Sequence, residues 1–186
     1  LDPSNPFLQF IFGSIMKWTD AGGVNMSSIV LFGGVLGALY SLLQFFAAPV
    51  WGSLSDRFGR KPILMVTIFG LFVSYIMWAL SGSFTILILA RFIGGIMGGN
   101  ISTATAAIAD VTDKSNRSKG MAFVGIAFAF GFIFGPAIGG VLTVINPVDH
   151  FPSLVQYGWN PFSYAACFAG ILSFINLVLS LIHISE

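Results

Sequence analysis

Apolar residues run in five blocks, separated by short polar corners. The blocks are 29–51, 62–81, 84–109, 120–145 and 162–182. A hydrocarbon core about 30 Å thick takes roughly 20 apolar residues in a helix, so each block predicts a membrane-spanning helix. Pro62 suits a first helical turn, where its missing N–H costs nothing. Ser81-Gly82-Ser83 predicts a tight turn, making the second and third spans an antiparallel pair. The apolar piece 7–15 is too short to cross. It is expected to lie at the interface or to end a truncated helix, within an external or lumenal segment 1–28.

Composition agrees with lipid as the solvent. Only 8% of the 186 residues are charged and 56% are hydrophobic, against about 25% charged in soluble domains. The net charge of +1 comes with no clustered basic face, which excludes nucleic acid as a partner. Cys167 is the single cysteine, so neither a disulfide framework nor a zinc spacing exists. There is no His/Cys/carboxylate cluster, and His150 and His183 fall at membrane edges. Enzyme activity, a metal and a bound cofactor are therefore not expected. With no initiator Met and no signal-peptide pattern, the chain is expected to be a piece of something longer.

The corners sort by charge. Arg57, Arg60 and Lys61 follow the first span, and Lys114, Arg117 and Lys119 follow the third. Six of the eight Lys and Arg residues thus share one side, which the positive-inside rule makes cytoplasmic. The amino-terminal segment is then external and the carboxyl end cytoplasmic. Asn25-Met26-Ser27 is a glycosylation sequon on the external side, close to the membrane.

Four features carry chemistry. The first is Arg91, about two turns into the third span. An Arg near the bilayer centre costs about 2.5–3.5 kcal/mol and usually faces the bundle interior or a wet cavity. It either handles anionic groups or protons in a cavity, or it snorkels outward or braces a neighbouring helix. The second is the stripe Gly131, Gly135, Gly139 at helical spacing, with Pro136 and Gly140 beside it. Bare stripes let helix backbones touch, and Pro136 removes one backbone hydrogen bond. The third is the small face of the third span, Gly94, Gly98 and Ser102 beside Gly95, Gly99 and Thr103, which belongs in the crowded middle of a bundle. Polar residues within spans come fourth. Gln44 and Asn100 are candidate pocket residues, with interhelical hydrogen bonding as the plainer role. Tyr75 and Trp78 read as interface anchors, and the Phe-rich run 123–134 as core and lipid contact. At the charged corner, Arg57, Arg60 and Lys61 can pair with carboxylates, Asp110 being the nearest candidate, and Asp56 can interact with a helix amino terminus. Such a latch would hold one conformation. The same basic residues also fix topology.

Residues Gly52 to Lys61 resemble the loop motif G-x-x-x-D-R-x-G-R-K of the major facilitator superfamily, with Gly52, Asp56, Arg57, Gly59, Arg60 and Lys61 in place. Arg91-Phe92-Ile93-Gly94-Gly95 is similar to that family's fourth-helix motif, with Gly94 where the family often has Gln. Gly131, Gly135, Pro136, Gly139 and Gly140 resemble the fifth-helix element of drug–proton antiporters, tetracycline-transporter-like proteins in particular. The resemblance implies an all-α membrane protein: a polytopic helical bundle holding helices two to six of a six-helix amino-terminal half. It implies that Asp56, Arg60 and Asp110 form a cytoplasmic charge relay and that Arg91 faces the cavity, coupling proton movement. The fifth-helix glycines and Pro136 would shape the interface with the missing carboxyl-terminal half.

The function this implies for the intact protein is export of small, drug-like organic molecules by proton antiport. Alternating access would drive it, with the proton gradient as the energy source. The expected partners are the substrate, protons, the lipid bilayer and the other half of the protein. A facilitative uniporter or symporter is the alternative within transport. A non-transporting scaffold or receptor of the same fold is the alternative outside it.

Overall fold

The computed structural model describes Gln9, residues 26–145 and residues 147–183. The apolar piece 7–15, apart from Gln9, and the sequon at Asn25 lie outside the described residues. Helix α1 spans Met26–Phe58, α2 Arg60–Ala79, α3 Phe84–Gly98, α4 Ile101–Val111 and α5 Arg117–Val144. A short α6, Pro147–His150, and a 3-10 turn, Pro152–Tyr157, lead into α7, Ser163–His183. Five helical stretches are long and apolar enough to cross a membrane, α3 and α4 together making one of them. The described residues contain no strand. This is an all-α membrane bundle.

The charged corner is tighter than the apolar blocks suggest. Helix α1 continues past Trp51 to Phe58, so Gly52 to Phe58 are helical and Gly59 alone separates α1 from α2. Gly59 has φ 94° and ψ 154°, a region essentially reserved for glycine. A Cβ there would meet Pro62 Cδ at 3.7 Å, ordinary contact. The demand at this position is therefore backbone conformation, not space. Gly59→Ala is expected to cost about 1–3 kcal/mol, read as a lowered melting temperature of the purified protein. Wild-type melting would show that the corner relaxes without strain.

Helices α3 and α4 sit between α1 and α2. Their small face makes that possible. An added Cβ at Gly95 would lie 2.8 Å from Tyr40 O, and one at Gly99 would lie 2.8 Å from Ala48 N. Lipid tails supply no hydrophobic drive for such contacts, so close van der Waals packing and hydrogen bonds hold the helices together. On the other flank α7 packs along α2, with Phe72 and Phe174 5.5 Å apart and Ser173 Oγ donating to Ile68 O at 3.3 Å. Helix α5 packs mainly against the edges of α4 and α7 and buries no residue. Its Phe123, Phe130, Phe132 and Ile133 are all exposed, an apolar surface of the kind that lipid or another protein surface covers.

Candidate functional site

The chain brings its charged corners together at one end of the bundle. Arg60, the first residue of α2, reaches Asp56 Oδ1 in the last turn of α1 through Nη1 at 2.6 Å. Its Nε donates to Asp110 Oδ2 at the end of α4, at 3.0 Å. Nη1 also donates to Ser55 Oγ at 2.6 Å, and that hydroxyl donates to Gly52 O at 2.8 Å. One guanidinium therefore ties three helices, its planar fork satisfying two carboxylates that a point-charge ammonium would not orient. Asp56, Arg60 and Asp110 are thus adjacent. Arg57 stands apart, lying over the ring of Phe58 at 5.4 Å, and Arg117 Nη2 donates to Ala109 O at the end of α4. Ser55, 1% exposed under Arg60, carries no signal in the sequence. Asp110→Asn is expected to raise labelling of a Ser55→Cys variant by a water-soluble thiol reagent. An unchanged rate would show that the ion pairs do not seal this end.

Arg91 lies away from this end, at the middle of α3. Its guanidinium stacks over the Trp78 ring, 3.7 Å from the centroid. The surrounding cleft is formed by Tyr40, Ser74, Tyr75, Trp78, Ala90 and Gly94, and its free space is only about 10 Å³. Arg91 Nε is buried and has no hydrogen-bond partner. A desolvated cation–π contact contributes about 2 kcal/mol, which offsets much of the roughly 2.5–3.5 kcal/mol an Arg costs at this depth. Arg91 thus faces the bundle interior, and the space beside it is narrow in this conformation. Tyr75 and Trp78, near the same end of their span, wall the Arg91 cleft, because α2 turns that face toward α3.

Gln44 and Asn100 do not join Arg91. The third span breaks at Gly99 and Asn100, where N–H groups bond three residues back: Gly99 N to Ile96 O at 3.3 Å and Asn100 N to Met97 O at 3.4 Å. Carbonyls at the break are taken up from α1. Gln44 Nε2 donates to Gly98 O at 3.0 Å and Trp51 Nε1 to Ile96 O at 2.7 Å. Asn100 Nδ2 donates to Thr67 Oγ1 on α2 at 3.2 Å. Both residues therefore act as interhelical ties at a helix discontinuity. The glycine pair was visible in the sequence as packing; the break was not, since hydropathy runs through it unchanged.

The sequence model of the Major Facilitator Superfamily matches residues 4–186. The chain belongs to the major facilitator superfamily. Among its relatives is Major facilitator superfamily domain-containing protein 10 of Mus musculus, 48% identical over 115 residues, 62% of this chain and 25% of that protein. The class H tetracycline resistance protein of Pasteurella multocida is 36% identical over 163 residues, 88% of this chain and 37% of that protein. The class B tetracycline resistance protein of Escherichia coli is 42% identical over 118 residues, 63% of this chain and 29% of that protein. The chain thus spans a quarter to somewhat over a third of the length of these curated relatives. As a superfamily member with five span-length apolar helices, it is a multi-pass membrane protein.

In this superfamily chain the α5 stripe is open. A Cβ added at Gly131, Gly135, Gly139 or Gly140 meets nothing within 4 Å. Pro136 leaves α5 continuous. The stripe edges a groove of about 330 Å³ whose other wall is Ala165, Phe168, Ala169 and Leu172 of α7. Helix-to-helix backbone contact at the stripe does not occur among the described residues.

Proposed function

We propose that the intact protein is a secondary active transporter that exports small organic molecules in exchange for protons, by alternating access. The observation that carries this reading is Arg91: a guanidinium inside a span, with one buried N–H unsatisfied and, among the described residues, no carboxylate beside it. Such a group is expensive to keep and is retained where it meets a charge or a substrate. Arginine stays protonated throughout, so its part is to steady an anionic partner, not to carry the proton. Among the described residues no Asp or Glu lies mid-span, so the titrating group would lie outside them.

Two further features support the reading. The Asp56–Arg60–Asp110 cluster closes the end that the Lys and Arg distribution makes cytoplasmic, a latch that must open in the inward-facing state. The tetracycline resistance proteins, by their name, act against a small organic molecule, and similarity to them extends over most of this chain. Substrate would bind near the midplane between two bundles that rock about it, with the second bundle supplied by the rest of the protein.

The test is flux by the full-length protein in vesicles with and without an imposed pH gradient. Gradient-driven flux is expected. Equal flux without the gradient would make it a facilitator, and no flux for any compound tried would leave a scaffold.

A further inference from the structure

Trp78 stands between two spaces of very different size. On the Arg91 side about 10 Å³ is free, room for roughly one water at most. Trp78 also lines a cavity of about 420 Å³, walled with it by Leu87, Val148, Val155, Trp159 and Phe162. Trp78 borders both spaces, and its ring lies against the Arg91 guanidinium, whose Nε is buried without a partner, on the smaller side.

The backbone carrying the indole is held from outside its own helix. Trp78 is one residue from the end of α2. Its carbonyl accepts from Asn160 Nδ2 at 3.3 Å and from Ser81 Oγ at 2.7 Å. The next carbonyl, Ala79 O, accepts from Ser163 Oγ at 2.5 Å. Asn160 is itself fixed: its Oδ1 accepts from Phe162 N and its N–H donates to Ser163 Oγ, both at 2.9 Å. Two glycines seat the loop. Gly158 has φ 84°, and a Cβ on Gly82 would lie 2.7 Å from Gly158 Cα. The loop 151–162 is thereby joined to the carboxyl end of α2, where orphan carbonyls need partners.

We infer that Trp78 is a movable partition between this cavity and Arg91, and that Asn160 is the positioning residue that keeps it closed. Swinging the indole into the larger space merges the two and presents Arg91 Nε to whatever enters from the Gly82 end. The chemistry is self-consistent: the stack on Arg91 is lost as the N–H gains an incoming acceptor. The inference deepens the transport reading and rests on it for what passes. The partition itself is tested without transport.

The experiment uses the full-length protein, with Cys167→Ser and other reactive cysteines removed, in open membrane sheets so that both faces are accessible. Ser74, which lines the Arg91 cleft and is 4% exposed, is changed to Cys as a reporter. The probe is a small charged methanethiosulfonate. Labelling is expected to be slow, to accelerate on the order of tenfold in Trp78→Ala, to accelerate less in Asn160→Ala, and to stay slow in Trp78→Phe. A Thr103→Cys reporter, at a fully buried position, should remain unlabelled throughout. An unchanged rate in Trp78→Ala overturns the partition, and so does parallel labelling at Thr103→Cys, which would mean a loosened bundle. A wild-type rate in Asn160→Ala overturns its positioning role. The expected labelling pattern in a protein that shows no flux would strike the transport reading alone.

Discussion

Arg91→Ala abolishes pH-gradient-coupled flux while the protein still inserts and purifies at normal yield: that is the expected result in reconstituted vesicles. Removing the side chain relieves a cation held inside a span, so insertion should become easier, not harder. What disappears is the only guanidinium positioned mid-bundle among the described residues. Arg91→Lys is expected to recover little. An ammonium keeps the charge but loses the planar face stacked 3.7 Å over Trp78, and its donors no longer form a fixed fork. Coupled flux at wild-type rate in Arg91→Ala would remove Arg91 from the mechanism. Wild-type flux in Arg91→Lys would show that charge alone suffices.

Gly99→Val is expected to produce the largest loss of stability. The new Cβ would fall 2.8 Å from Ala48 N and 2.9 Å from Ala47 C. Those are backbone atoms of α1 and cannot swing aside. Overpacking of this kind costs about 1–3 kcal/mol. Separating the helices also strains Gln44 to Gly98 O, Trp51 to Ile96 O and Ser102 Oγ to Ala48 O. Interhelical bonds in lipid contribute about 0.6 kcal/mol each on average, so the combined effect is about 3 kcal/mol or more. A melting curve of the purified protein reads it directly. Gly135→Leu is the contrast. It meets open space here, so packing among these helices should be spared, while flux through the intact protein slows if another segment covers the stripe. Equal melting shifts from the two variants would contradict the close-approach reading of α3 and α4 on α1.

Much of the bundle was legible along the chain. Five apolar blocks of span length and the gathering of Lys and Arg on alternate corners are one-dimensional facts, and burial in lipid depends on little else. The glycine face of the third span could be placed in the crowded middle because a helix without Cβ atoms on one side has few other uses. From the residues alone Arg57, Arg60 and Lys61 were all candidates for Asp110; the family resemblance singled out Arg60, and the structure pairs it with Asp110 across 50 residues. The extent of α1 was misjudged for a local reason. Polar side chains in 52–58 resemble a loop, yet at a membrane surface they continue a helix until Gly59 can turn it.

Sequence alone settled how many times the chain can cross lipid, which corners carry charge, and that an Arg is held inside. Tertiary structure decided what each polar group touches. Trp78 walls Arg91; Gln44 and Asn100 repair a break and do not line the Arg91 cleft; Asn160 reaches back 82 residues to cap α2. The physical reason is rotation. Hydropathy reports how deep a residue sits, but which face of a helix meets which neighbour depends on contacts such as Gly95 and Gly99 on α1, and these fix the register only once the helices are together.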